Sequence, residues 1–103
     1  MATKEEILSK IKNAVSELDP EARVILFGSR ARGDFGKESD WDLLILTSIP
    51  DTEENKQNLR YHPFDIELET EQSISTLIHH HDHWKSYSIT PIFQIIESEG
   101  IEV

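Results

Sequence analysis

The sequence contains no cysteine, which excludes disulfides, thiolate metal sites and thiol nucleophiles. It has only ten basic residues against twenty acidic ones, for a formal net charge of −10. Such a surface repels a phosphate backbone, so general nucleic-acid binding is not expected. No apolar run approaches the roughly 20 residues that cross a bilayer, and the first six residues lack an apolar signal region. We therefore expect a cytoplasmic protein without membrane contact.

The length of 103 residues is typical of one domain and too short for two separate cores. Hydrophobic residues make up 37% and charged residues 29%, which is a globular composition. We therefore predict a single domain over residues 1–103. Its acidic excess can attract a basic protein partner, and part of it can be carboxylates gathered around metal ions.

Three amphipathic helices are indicated by apolar residues that recur every three or four positions. The first is predicted to begin after Thr3 and to end before Pro20, and the last to begin after Thr90 and stop at Gly100. A further helix is predicted after Thr70, with a stripe formed by Ile74, Leu77, Ile78, His81 and Trp84.

Three strands are predicted between these helices. Ala22 to Phe27 is a short apolar run rich in strand formers, and Asp40 to Leu46 begins with alternating residues and ends fully apolar. Phe64 to Leu68 alternates with a period of two, which would place Asp65 and Glu67 on the polar face of a half-exposed strand.

Two polar segments, Gly28 to Ser39 and Thr47 to His62, are predicted to be loops, and each is long enough to hold a short helix. Helices would then flank and separate the three strands. The predicted fold class is α/β (α+β), with a small mixed β-sheet flanked by helices.

Two aspartates at the start of the second predicted strand are the candidate metal ligands. Residues two apart on a strand project from one face about 6–7 Å apart, so the carboxylates of Asp40 and Asp42 can converge on one or two cations. Two hard divalent ions can bridge phosphate oxygens, activate a hydroxyl and neutralise departing pyrophosphate. A third carboxylate is expected from the next strand, with Asp65 as first candidate and Glu67 as reserve.

The residues directly after the first strand are candidates for phosphate binding. Gly28 allows a close backbone approach, and Ser29 offers a hydroxyl and backbone amides. Arg30 adds a guanidinium suited to bidentate phosphate contact, and Arg32 is a second candidate of this kind. A solvated surface position is the alternative for both arginines.

The segments 28–33 (Gly-Ser-Arg-Ala-Arg-Gly) and 39–43 (Ser-Asp-Trp-Asp-Leu) together resemble the signature of the DNA polymerase β-like nucleotidyltransferase superfamily. In that superfamily a Gly-Ser pair is followed at a set distance by Asp-x-Asp, and a third aspartate comes from a later strand. The form is most similar to the minimal nucleotidyltransferases, which are small single domains of bacteria and archaea. Phe64-Asp65-Ile66 is similar to the strand of the third carboxylate.

The resemblance implies a polymerase β palm-like fold and a metal-dependent enzyme that moves a nucleotidyl group, AMP from ATP, to a hydroxyl acceptor. Asp40 and Asp42 would hold two Mg²⁺ ions, Asp65 would bind the catalytic one, and Gly28, Ser29 and Arg30 would bind the triphosphate. Minimal members are commonly paired with a small helical partner of the HEPN type and act as antitoxins of toxin–antitoxin pairs. The acceptor is therefore expected on a partner protein, and the oligomeric state stays open.

Two alternatives accompany this prediction. The chain can be a non-catalytic acidic binding module that neutralises a HEPN-type partner by contact. The histidine cluster from His79 to His83 can hold zinc if its ends lie one helical turn apart, but an exposed polar helix end or a partner surface explains it without a metal. The nearby aromatic residues are expected to pack rather than to stack a base: Trp84, Tyr87 and Phe93.

Overall fold

The computed structural model describes residues 3–33, 40–62 and 64–103. In chain order the elements are α1 (Lys4–Leu18), β1 (Arg23–Phe27), α2 (Ser29–Arg32), β2 (Trp41–Thr47), α3 (Glu53–Tyr61), α4 (Phe64–Thr70), β3 (Ile74–His80), α5 (His81–Trp84), a 3-10 turn (Lys85–Tyr87), α6 (Pro91–Glu99) and β4 (Ile101–Glu102). Within these ranges no helix is both long enough and apolar enough to span a bilayer.

The strands form one mixed sheet in the order β3-β2-β1-β4. Strand β2 pairs in parallel with β3 and antiparallel with β1, and β1 pairs antiparallel with the short β4. The predicted fold class is confirmed, although the sheet has a fourth strand of two residues that sequence periodicity could not indicate.

Strand β2 lies inside the sheet and is covered on both faces. Its residues Trp41, Leu43 and Ile45 pack in one layer with α1, α3 and α4, whereas Leu44 and Leu46 pack in a second layer with α5 and α6. A strand covered on both faces has a nearly continuous apolar run instead of an alternating one. This explains the fully apolar end of the predicted strand.

The first and last helices are confirmed with their predicted caps. The Thr3 hydroxyl accepts a hydrogen bond from the Glu6 amide at 3.2 Å, and the Thr90 hydroxyl accepts one from the Phe93 amide at 3.3 Å. Helix α6 ends at Glu99, directly before Gly100. The polar segment before residue 62 contains the short helix α3, which the sequence allowed without requiring.

The strand predicted at Phe64 to Leu68 is wrong, because this segment is helix α4. A strand would have placed Ile66 and Leu68 on the same face, but Ile66 is buried while Leu68 is 65% exposed. The alternation between residues 66 and 68 therefore does not mark one buried strand face. The Thr70 hydroxyl donates to the Ile66 carbonyl one turn earlier, which is a helical contact.

The helix predicted after Thr70 is also wrong, because Ile74 to His80 forms strand β3. Leu77 and Ile78 fall on one helical stripe in the sequence, but they pack on opposite faces of the sheet. Strand β3 lies beside the buried β2, so both of its faces carry apolar residues. This two-sided burial produced a spacing that also fits a helix.

The turn between α1 and β1 is fixed by a buried carboxylate. Asp19 is 1% exposed and accepts hydrogen bonds from the amide and hydroxyl of Ser48 and from the amides of Ile49 and Glu21. Burial alone would raise the pKa of Asp19, but these hydrogen bonds outweigh it and hold the pKa below its usual value. The ionised carboxylate thus joins the end of α1 to the end of β2.

We expect Asp19→Asn to destabilise the protein by about 1–3 kcal/mol at neutral pH, because donors that now face a carboxylate would lose their charged acceptor. The native pKa is lowered, so the wild-type advantage is complete above the unfolded-state pKa and is lost as the pH falls through the native pKa. Urea unfolding of both proteins from pH 7 downwards measures this difference, with the exposed Asp65→Asn as control. A difference that stays constant below pH 3.8, the ordinary aspartate value, would contradict this account.

Candidate functional site

Asp42 lies near the start of β2 on the face of the sheet that α6 covers. It alternates with Trp41 and Leu43, which face the α1 layer, and it shares its side with Leu44. Burial and the nearby Asp40 carboxylate raise the pKa of Asp42, and Arg32 opposes this shift. Asp40 itself is exposed and directly precedes the strand. The two predicted aspartates are therefore close enough to interact electrostatically, and the positively charged Arg32 side chain is close enough to act on Asp42.

Gly28 brings the end of β1 against the Asp42 carboxylate. A Cβ atom at position 28 would lie 2.4 Å from Asp42 Oδ2, far inside normal contact. The backbone of Gly28 has φ +78° and ψ −159°, a conformation that residues with side chains rarely adopt. Both observations require glycine here.

Ser29 follows Gly28 and starts the single turn of α2. The Gly28 carbonyl accepts hydrogen bonds from the amides of Ala31 and Arg32, both at 3.0 Å, and Gly33 ends the turn with a φ of +86°. The predicted loop thus begins with the helical turn that the sequence allowed. Residues 34–39, which include the serine before Asp40, lie outside the described residues.

The two arginines of this turn occupy different surroundings. Arg30 is 8% exposed, its guanidinium carbon lies 4.4 Å from the centroid of the Trp41 ring, and its Nη2 donates to Gln72 Oε1 at 3.1 Å. Trp41 belongs to the α1 layer, on the opposite side of the sheet from Asp42. Arg32 is the arginine whose positive charge lowers the pKa of Asp42. The geometry therefore favours Arg32 over Arg30 as the cation of the candidate site.

Glu99, which the sequence analysis missed, contacts this turn from the end of α6. The Gly28 amide donates to Glu99 Oε1 at 3.0 Å, and Arg32 Nη1 lies 3.1 and 3.2 Å from the two carboxylate oxygens. Separation in the chain hid this contact, because positions 28 and 99 are 71 residues apart. The available sequence signal was an acidic residue in the last turn of a helix, where the helix dipole disfavours negative charge.

Asp65 does not share a strand with the cluster, because it lies in α4. This helix packs through Ile66 into the α1 layer, and Asp65 itself is exposed. Asp42 faces the other layer, on the side of α6. The next strand along the chain that pairs with β2 is β3. There Ser75 is the register partner of Asp42, and β3 contains no acidic residue.

The reserve candidate Glu67 has a structural partner. Its Oε1 accepts the Ile74 amide at 3.0 Å, which fixes the start of β3. A groove of about 430 Å³ lies nearby, between α1 and the segment that follows α4. It is lined by Ile7 and Gln72 among others and is on the side away from Asp42. The groove is therefore separate from the aspartate site.

The histidine cluster is divided between two elements, so His79 and His83 are not one helical turn apart. His79 lies in β3, where its ring contacts Trp84 and Tyr87, and burial followed by the charge of Lys56 lowers its pKa. His83 lies in α5, and its Nδ1 is 3.2 Å from Asp51 Oδ2. The expectation that Trp84 packs is confirmed, because it is buried in the α6 layer beside Phe93.

Potential ligand atoms of His80, His81 and Asp82 do lie within 4.8 Å of one another. However, His80 Nδ1 accepts the Asp82 amide at 3.1 Å and so caps α5. This agrees with the structural explanation of the cluster.

Comparison with known proteins gives consistent matches. The family model described as the nucleotidyltransferase domain matches residues 8–96. A protein of Methanocaldococcus jannaschii, provisionally named a protein adenylyltransferase, is 36% identical over 100 residues, which is 95% of this chain and 96% of that protein.

Two solved structures share the fold. A crystal structure of a toxin–antitoxin with AMP-PNP matches with a TM-score of 0.66 and 18% identity, covering 91% of this chain and 69% of that one. A mutant of the toxin–antitoxin MntA-HpeT matches with a TM-score of 0.65 and 15% identity over the same shares. In that mutant two aspartates, two positions apart, are replaced by glutamate.

We expect Gly28→Ala to destabilise the protein more than Gly33→Ala does. Both glycines have positive φ, and adopting a positive φ costs alanine about 1–2 kcal/mol. At position 28 the added Cβ would also clash with Asp42. At position 33 it would meet nothing within 4 Å. Urea unfolding of the two variants measures this difference, to which the glycine-only backbone conformation at position 28 and the clash with Asp42 both contribute. Equal losses of stability would show that the close approach of Gly28 and Asp42 does not exist in solution.

Proposed function

Because this chain belongs to the nucleotidyltransferase domain family, we propose that it transfers AMP from ATP to a hydroxyl group of a partner protein. The observation that carries the proposal is the contact between Gly28 and the Asp42 carboxylate. This contact brings the turn at Gly28, which can bind phosphate, next to Asp40 and Asp42, which can bind metal ions. A triphosphate held at Gly28 and Ser29 would therefore lie beside Asp40 and Asp42.

The donor set fits a hard divalent cation. The pKa of Asp42 is raised by burial and by Asp40, so two carboxylates are held together at a cost that a bound cation would remove. Asp40 and Asp42 would hold the two Mg²⁺ ions that the family resemblance implies. When bound, magnesium would neutralise phosphate charge and lower the pKa of the attacking hydroxyl.

The chain's own residues contribute mainly position and charge. Ser29 and the amides of its turn hold the triphosphate, and Arg32 supplies positive charge on the same side. The acceptor oxygen attacks the α-phosphorus, the bond to the β-phosphate breaks, and pyrophosphate leaves. The hydroxyl proton passes to solvent water, because Asp42 as a metal ligand would no longer have a raised pKa.

A protein acceptor is supported by the surface of the chain. Its net charge of −10 suits a basic partner. The outer side of the segment around α6 exposes Ile89, Ile92 and Ile95, by 87%, 37% and 43% respectively. Exposed apolar groups of this kind mark protein contacts. We infer an antitoxin role with a HEPN-type toxin as acceptor, in a cytoplasmic setting.

We expect magnesium-dependent ATP binding to require Asp42. In isothermal titration, Asp40→Asn and Asp42→Asn should each weaken binding by at least about tenfold, because a lost charged ligand costs more than about 1.4 kcal/mol. EDTA should have the same effect on the wild type. The matched control is Asp65→Asn in α4, which should bind as the wild type does. Full binding by Asp42→Asn would overturn the proposal, and loss of binding in Asp65→Asn would make Asp65 a ligand after all.

A second function, neutralisation of the partner by contact without catalysis, is favoured by the exposed isoleucines of α6 and the acidic charge. It predicts that the aspartates of the site are dispensable for neutralisation.

Co-expression with a toxic partner separates the two functions. If transfer is needed, the double variant Asp40→Asn, Asp42→Asn should fail to protect cells. In a separate pull-down, Ile92→Asp should weaken the complex between this chain and the toxic partner. If contact is sufficient, the double aspartate variant should protect as well as the wild type. In that case the transferase proposal would not explain the antitoxin role.

A further inference from the structure

The carboxylate of Glu99 is nearly enclosed at the point where α6 meets the turn after β1. Its side chain is 18% exposed and lies between the Gly28 amide and the Arg32 guanidinium. Charged side chains at this level of burial are normally paired and hydrogen-bonded. Here the two partners are the residues that open and close the turn of α2, so Glu99 bridges both ends of the candidate nucleotide site.

The position of Glu99 is unfavourable for its own helix. It is the last residue of α6, where carbonyl groups and the helix dipole carry partial negative charge, and a cation would be stabilising there. An acidic residue at this place must be compensated from outside the helix. The compensation comes from Gly28 and Arg32, which indicates that the contact serves the turn rather than the helix.

The short length of β4 explains why a side chain is needed. Strand β4 pairs with β1 only at Ile25 and Leu26, through Glu102 and Ile101. The Gly28 amide lies beyond this ladder, so no backbone carbonyl of β4 pairs with it. Glu99 Oε1 accepts this amide at 3.0 Å instead. The carboxylate therefore continues the sheet by one hydrogen bond at the place where the backbone turns toward Asp42.

We propose that Glu99 is a positioning residue for nucleotide binding, which holds Gly28 and Arg32 in place beside Asp42. This inference rests on the proposed function, since it assigns Glu99 a part in the same site. One oxygen fixes the backbone conformation at Gly28 that permits the approach to Asp42. Both oxygens orient the Arg32 guanidinium, which acts on the Asp42 carboxylate.

The test compares Glu99→Ala, Glu99→Gln and Glu97→Gln in magnesium-dependent ATP titrations. Glutamine keeps an oxygen that accepts the Gly28 amide but loses the ion pair, whereas alanine loses both contacts. Glu97 is an exposed acidic residue of the same helix and serves as the control. We expect Glu99→Ala to raise the Kd about tenfold and Glu99→Gln about threefold, while Glu97→Gln leaves it unchanged.

A combined variant and an exchange measurement distinguish positioning from general stability. The losses of ATP affinity in Arg32→Ala and Glu99→Ala should be less than additive in the double variant, because Glu99 acts partly through Arg32. Amide hydrogen exchange at Gly28 should accelerate in Glu99→Ala and stay slow in Glu99→Gln. If Glu99→Ala does not fold, the Glu99→Gln titration and its exchange at Gly28 decide the question.

The outcomes separate this inference from the proposed function. If the wild type binds ATP with magnesium and Glu99→Ala binds it as tightly, the role of Glu99 is overturned while the proposed function stands. Additive losses from Arg32→Ala and Glu99→Ala would also overturn it. If the wild type binds no ATP in any metal condition, the proposed function itself fails.

Discussion

The approach of the Gly28 backbone to the Asp42 carboxylate determines the geometry of the rest of the site. There is no room for a side chain at position 28, and the local backbone is one that only glycine adopts readily. The end of β1 can therefore lie directly against the start of β2. The other candidate groups lie around this contact: Ser29 follows it, Arg32 closes the turn, and Glu99 accepts the Gly28 amide.

The two-layered packing of the sheet decides which acidic residues can take part. Residues of β2 alternate between the α1 layer and the α6 layer, and Asp42 belongs to the α6 side. Glu99 lies on that side, whereas Asp65 is carried by a helix on the other. Among the acidic residues that the structure describes, this packing places Asp42 and Glu99 on the same side. Burial and repulsion from Asp40 at Asp42 are the energetic cost of gathering carboxylates there.

The sequence predicted best the parts whose signals are local. The cap at Thr3, the stop at Gly100 and the turn after Gly28 depend on neighbouring residues, and all three are present. It failed between residues 64 and 80, where the order of helix and strand is the reverse of the prediction. Local periodicity is ambiguous there, because β3 packs Ile78 and Leu77 on opposite faces and, among residues 65–70 of α4, Ile66 is buried while Leu68 is exposed. Glu99 could not be found because its partners are distant in the chain.

The central claim is that the turn at Gly28 and the aspartates of β2 form one nucleotide site. Its most direct test is a titration of the isotope-labelled protein with AMP-PNP and Mg²⁺, in which NMR records the chemical shifts of the backbone amides. The account predicts that the largest shifts occur at Gly28, Ser29, Arg32 and Asp42, and that they require magnesium. Shifts confined to the groove between α1 and the segment after α4, with none at Gly28 or Asp42, would contradict it.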